Sequence, residues 1–148
     1  MTLRPIRWFA RGSRRRQPDR SPRDRAYPWG VDDAAASQPY GDLTTIGRTS
    51  GRARTIEIWF AGHGLTVYLL AGDGDHSHWV RNILANPSVT LRVDDRTYPG
   101  QARLVLDPGE AECARDALVA KYQPTYPGDL NGWRDSALPV AIDLDADA

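Results

Sequence analysis

From Leu43 onward the chain is written as short apolar or alternating runs, divided by turns too short to carry a crossover helix. Leu43 to Ile46 reads as a strand closed by a turn over Gly47 to Gly51. Arg54 to Ala61 alternates, with Ile56, Ile58 and Phe60 on one face and Thr55, Glu57 and Trp59 on the other. That period of two is the mark of a half-buried strand. Gly62-His63-Gly64 is a hairpin turn, and Leu65 to Ala71 is apolar enough for a more buried strand. Ser88 to Val93, a turn at Asp94-Asp95, and Arg96 to Leu106 with a break at Pro99-Gly100 continue the series. Ala137 to Leu144 closes it. Strands spaced as hairpins pair antiparallel, so the expected fold is mainly β, in the α+β class: an antiparallel β-barrel with short flanking helices.

Two helices interrupt the strands. The first is expected over His76 to Ala85, with Trp79, Val80, Ile83 and Leu84 on its apolar face and Asp75 or Ser77 as its cap. Asn86-Pro87 stops it. The second opens at Asp107-Pro108-Gly109-Glu110, where Asp107 caps and Pro108 fits the first turn, and runs to about Tyr122. Ala114, Leu118, Val119 and Tyr122 share its apolar side. Gln123 to Gly132 reads as a Pro/Gly-rich loop.

A length of 148 residues suits one domain with one core. Net charge is zero but unevenly placed: residues 1–25 hold nine Arg against two Asp, leaving an acid excess in the remainder. Residues 1–42 therefore read as a basic, flexible arm ahead of a folded body over 43–148. Leu3, Ile6, Trp8 and Phe9, interleaved with Arg, give the arm two readings: a peripheral membrane contact or a mobile arm. Charge alone does not make it a nucleic-acid ligand. No signal peptide or apolar span follows the early positive charge, and Cys113 is the only cysteine, so a cytoplasmic protein without an intramolecular disulfide is expected.

Phosphate-loop, nucleophile-elbow and zinc-protease motifs are absent. His76 and His78 lack evident further ligands, so no metal site is expected and an exposed or capping role is the simpler reading. Arg48, Arg52 and Arg54 surround a glycine-rich turn with Thr49 and Ser50. Such a turn presents backbone N–H groups and gathers cations, which suits a phosphate or carboxylate. A solvated hairpin with three surface arginines fits the residue types equally well. Trp79, Arg81 and Asn82 follow a second glycine-rich segment that contains Asp73 and Asp75.

The stretches LTTIGRTSGRAR and WVRNILANP resemble the deazaflavin-dependent nitroreductase family, also described as quinone reductases. The family pattern is G-R-x-S/T-G-x-x-R followed by W-x-x-N-x-x-x-N-P. The likeness extends over about residues 43–145, through YQPTYPGDLNGWRDSALPVAIDL. It implies a split β-barrel of the flavin-reductase kind, often paired as a homodimer. It implies binding of reduced 8-hydroxy-5-deazaflavin (coenzyme F-420) and hydride transfer to a small-molecule quinone, nitro compound or activated alkene. Arg48, Thr49, Ser50 and Arg54 would hold the anionic tail, Trp79 and Asn82 would line the cofactor site, and Leu70, Ala71 and Gly72 would face the ring. Tyr122, Tyr126 and Trp133 would cover the substrate, a tyrosine donating the proton. Where many members carry lysines this chain has Thr49 and Asp73, leaving Arg52 and Arg81 as the compensating cations. FMN on the same barrel, or a non-catalytic binder of flavin or haem with His63, His76 or His78 as axial ligand, are the alternatives.

Overall fold

The computed structural model describes residues 33–145; the arginine-rich segment expected as an arm lies in residues 1–32, outside the described residues. A turn of helix, α1 (Asp33–Ala36), leads into β1 (Gly41–Ile46), β2 (Ala53–Ile58), β3 (Ala61–His63) and β4 (Thr66–Ala71). A 3₁₀ turn (Gly74–His76) precedes α2 (His78–Ala85), β5 (Ser88–Val93) and β6 (Arg96–Leu104). Then come α3 (Pro108–Tyr122), a second 3₁₀ turn (Gln123–Thr125), α4 (Asn131–Ser136) and β7 (Leu138–Leu144). Ala35 already joins the core, ahead of the first strand.

The strands form one antiparallel sheet in the order β2-β1-β5-β6-β7-β4-β3. β2 and β3 are its two edges, yet only Trp59 and Phe60 separate them in sequence. Laid flat, a sheet of this width would hold its edges about 29 Å apart. The chain from Ile58 to Ala61 reaches at most about 11 Å. The sheet therefore curls until its edges meet, and the result is a split barrel closed by a covalent link rather than by a ladder.

Alternation along the strands sorts side chains between two cores. Leu43, Leu69, Leu91, Tyr98, Val140 and Ile142 point inside the curl with Phe60. Tyr68, Leu70 and Ala141 point to the other face, where α3 covers them with Ala114, Leu118 and Tyr122. β4 is consequently buried on both faces, as its apolar run foretold. The first turn of α3 is fixed as expected: Asp107 accepts the Glu110 N–H at 2.8 Å, with Pro108 following the cap. Arg103 on β6 then bridges Glu110 and Asp143, and the Tyr68 hydroxyl donates to Glu110 at 2.9 Å. Arg103 holds the Glu110 carboxyl below its ordinary range, while burial pushes the Tyr68 phenol up.

Several elements differ from the reading of the sequence. β2 is exposed along Ala53–Glu57, because an edge strand has nothing packed on it; of its apolar residues, Ile58 packs against the core and Ile56 does not. The first helix begins at His78, behind a separate 3₁₀ turn; of the two expected caps, Asp75 lies inside that turn, and Ser77 takes the capping position without a side-chain bond. Leu84 points to solvent and Asn82 is buried in its stead. Residues 123–132 hold a 3₁₀ turn and the start of α4, stapled by Gln123, which donates to the Gly128 carbonyl and accepts from the Leu130 N–H.

Pro99-Gly100 does not break β6. Arg96 to Gln101 pair with β5 and Gly100 to Leu104 pair with β7, so the Pro-Gly step sits where the strand changes partner. A Cβ on Gly100 would lie 2.6 Å from the Asp143 carbonyl oxygen, so only glycine lets β7 approach there.

The end of α3 grips the closing link. The Tyr122 hydroxyl accepts the Phe60 N–H at 3.0 Å and donates to the Pro39 carbonyl at 2.9 Å. Lys121 Nζ donates to the Phe60 carbonyl at 2.9 Å and sits 3.7 Å from the Phe60 ring centroid. Without a carboxylate beside it among the described residues, burial pulls the Lys121 ammonium down to about 7.

Two predictions follow from this packing. Gly100→Ala should lower stability by about 1–3 kcal/mol, the range for overpacking, read as a lower urea midpoint at unchanged slope. Lys121 is charged in the unfolded chain up to its usual value but neutral in the folded one above about 7. The unfolded state then binds more protons, so stability should rise as pH goes from 7 to 9.5. Lys121→Met should flatten that rise, read as a urea midpoint that no longer climbs between pH 7 and pH 9.5.

Candidate active site

The β1–β2 turn and the first turns of α2 enclose an open groove of about 700 Å³. The turn is built by its glycines. Gly47 N–H donates to the Arg52 carbonyl and Gly51 N–H to the Gly47 carbonyl, both at 2.8 Å. Gly51 has φ 71°, and a Cβ on Gly47 would fall 2.6 Å from Ser50 Oγ. Ser50 Oγ accepts from the Arg52 N–H at 3.1 Å and from the Arg54 guanidinium at 3.4 Å. Across the groove, Thr45 and Asn82 are the buried polar side chains among the described residues. Asn82 Nδ2 donates to Thr45 Oγ1, and Asn82 Oδ1 accepts both the Arg48 N–H at 3.1 Å and Arg48 Nη1 at 2.8 Å.

Arg48, Thr49, Ser50, Arg54, Trp79 and Asn82, all expected at a cofactor site, line this groove together. No Asp or Glu is among its lining residues, and no carboxylate among the described residues forms an ion pair with Arg48 or Arg54. Asp73 and Asp75 are exposed and stand outside it. Two guanidinium groups, the hydroxyls of Thr45, Thr49, Ser50 and Thr55, and no carboxylate make a donor set for an anion.

Other expected residues lie elsewhere. Arg52 is exposed and does not line the groove, and Arg81 instead donates to the Asp75 carbonyl at 2.9 Å and contacts His76. The two compensating cations are therefore not among the lining residues. Leu70 and Ala71 are buried, Leu70 beneath α3, and Gly72 lies against Trp133. Tyr122, Tyr126 and Trp133 do come together, but around Trp59, which the sequence reading placed only on a strand face. Trp59 stacks on Tyr122 at 4.2 Å and meets Tyr126 and Trp133 edge-on at 5.8 and 5.6 Å. Within that cluster Tyr122 is buried and its hydroxyl is committed to Phe60 and Pro39, so burial pushes its phenol up and leaves it poorly placed to give a proton. Tyr126 is 43% exposed.

His78, read as exposed or capping, lines the groove with its Nδ1 at 3.2 Å from Arg48 Nη2. Only its place beside Trp79 could have hinted at this. His76 is exposed near Asp75. Among the described residues no three metal-binding side chains gather. The Cys113 thiol is pushed up by desolvation and by nearby Asp116 and Glu110, which makes it a poor nucleophile. No helix among the described residues is long and apolar enough to cross a membrane.

Solved structures share this architecture. An F420-H2 dependent reductase is 25% identical, with 73% of this chain and 95% of that one covered at a TM-score of 0.59. A structure described as a domain-swapped dimer is also 25% identical, with coverages of 73% and 81% and a TM-score of 0.59. The haem storage protein HutZ from Vibrio cholerae is 14% identical, with coverages of 75% and 84% and a TM-score of 0.59, a likeness of fold alone. The family model described as F420H(2)-dependent quinone reductase matches residues 31–145, which include the whole groove and the aromatic cluster. The chain belongs to that family and is a deazaflavin-dependent reductase.

Proposed function

We propose that the groove holds the anionic tail of the reduced deazaflavin coenzyme, and that the acceptor is a flat quinone, nitro compound or activated alkene. The observation that carries this reading is the pairing of Arg48 and Arg54 with no carboxylate among the lining residues. Thr49 and Ser50 add hydroxyl donors at the same turn, and Trp79 gives one wall an apolar surface. When bound, the coenzyme supplies a hydride; the residues of this chain bind, orient and exclude water.

Trp59, Tyr126 and Trp133 suit the acceptor, because perpendicular, partly exposed aromatic faces receive a planar ring. Tyr122 then serves as a positioning residue that fixes the plane of Trp59. Tyr126 is the better candidate to meet the acceptor's developing charge. The exposed edge strand β2 supports pairing of two copies, as in the domain-swapped relative. The expected site of action is the cytoplasm.

Arg54→Ala tests the groove. Among the described residues its side-chain bond is to exposed Ser50, so the fold should persist. Coenzyme binding should weaken by about 1.5–3 kcal/mol, the range for a hydrogen bond to a charged group. The measurement is a fluorescence titration with oxidised deazaflavin coenzyme, with FMN in parallel. Saturable binding of the deazaflavin by the parent protein and its loss in Arg54→Ala is the expected result. An unchanged dissociation constant in the folded variant would remove Arg54 from the site, and binding of FMN alone would move the protein to flavin chemistry.

A further inference from the structure

We propose that Gln123 is a positioning residue for the acceptor: its carboxamide fixes the short loop that carries Tyr126, and so sets where the Tyr126 ring stands against Trp59. The proposal rests on the reading of the aromatic cluster as the acceptor site. It adds a residue that belongs to neither the groove nor the cluster.

Tyr126 has little of its own to hold it. It is 43% exposed, and a side chain so placed gains little from burial. It sits between two buried anchors, Tyr122 at the end of α3 and Leu130 ahead of α4. Without a tie, a loop of this kind would sample many conformations. Gln123 closes it from within. Its Nε2 donates to the Gly128 carbonyl at 2.7 Å, and its Oε1 accepts the Leu130 N–H at 2.9 Å. These partners dictate which way the amide faces, because a carbonyl takes only a donor and an N–H only an acceptor. The Tyr126 N–H is held too, by the Tyr122 and Gln123 carbonyls at 3.1 and 3.2 Å.

Gly128, the residue that Gln123 grips, also touches the ring. A Cβ there would lie 2.9 Å from Tyr126 Cε2, so the ring lies against the backbone of its own loop. Gly128 is not among the glycines of positive φ, so what it provides is room rather than a special backbone angle. Tyr126 is thus placed between Gly128 and its edge-on contact with Trp59 at 5.8 Å. Trp133 is secured in another way: Arg134 ties α4 to Glu112 and Asp116 on α3. One neutral amide therefore governs the placement of Tyr126 and not that of the other aromatic walls. A wall already in position when the acceptor arrives spares the ordering cost of binding.

The test uses two variants of Gln123. Gln123→Leu keeps the bulk and removes both hydrogen bonds. Gln123→Glu keeps an acceptor for the Leu130 N–H, so the start of α4 stays satisfied, and loses the donor to Gly128. Menadione, a soluble naphthoquinone, serves as the probe. Its dissociation constant is read from quenching of tryptophan emission in the coenzyme-free protein, and its KM with the reduced coenzyme bound. Both variants should weaken menadione binding and raise its KM by about two- to tenfold, the worth of one aromatic contact. Affinity for the oxidised deazaflavin coenzyme should match the parent's.

On a Tyr126→Ala background the Gln123 substitutions should have no further effect on menadione, because they act through that ring. Equal losses on both backgrounds would overturn the proposal and make the amide a support for stability alone. So would parent-like menadione binding in both Gln123 variants when Tyr126→Ala has lost it, or a matching loss of coenzyme affinity. Unchanged menadione binding in Tyr126→Ala itself, or no reduction of menadione by the parent protein with reduced coenzyme, would overturn the acceptor reading and this proposal together.

Discussion

The buried carboxamide of Asn82 couples three elements that otherwise have little reason to stay in register. It lies on α2, donates to Thr45 on β1, and accepts twice from Arg48 in the turn that follows β1. Asn82 is 4% exposed and Thr45 1%, so leaving any of these groups without a partner would cost about 1–3 kcal/mol. The orientation of the amide is dictated by its neighbours, because Arg48 offers only donors and the oxygen must face it. A neutral acceptor at this point also has an electrostatic consequence. It holds the guanidinium in place without cancelling its charge, which an aspartate in the same position would do.

The barrel depends on a second constraint, the two-residue link between its edges. Because Trp59 and Phe60 are neighbours, one points into the interior core and the other joins the outer cluster with Tyr122 and Trp133. The backbone of this link is not in a ladder, so its polar groups need other partners. Tyr122 supplies one to the Phe60 N–H, and Lys121 supplies one to the carbonyl. The aromatic cluster and the closure of the barrel are thus the same piece of structure. A tyrosine that looks catalytic by its neighbourhood is spent on holding the link, and the face of Trp59 is set by it.

Much of the fold was legible because period and turn chemistry are local. The buried β4, the hairpins and the Asp107 cap all follow from neighbouring residues. The groove was legible in part for the same reason: Arg48, Ser50 and Arg54 share one glycine-rich turn, and WVRN puts Trp79 and Asn82 on one helix. What escaped needed a partner from far along the chain. β2 alternates as a half-buried strand does, but nothing in its own residues says that it is the sheet edge. Pro99-Gly100 looks like a break until β7 is seen to take over the pairing. Arg81 carries the right charge on the right helix, yet a one-position step from Val80 and Asn82 turns it toward Asp75.

The arginines of this chain divide by the kind of acceptor they meet, and that division bears on function more than their number does. Arg103 lies between Glu110 and Asp143, and Arg134 among Glu112, Asp116 and Asp135. In those places the positive charge is cancelled on the spot, and what remains is geometry: α3 fixed to the sheet, and α4 fixed to α3. Exposed pairs of this sort contribute little to stability one by one, so their use is mainly to set orientation. Among the described residues, Arg48 and Arg54 meet carbonyl, amide, imidazole and hydroxyl groups and no carboxylate. Their positions are constrained while their charge is left uncompensated, which costs the folded protein some repulsion across the groove. A chain whose acidic residues are plentiful elsewhere, but absent from this lining, leaves that charge available to an anion that arrives from outside.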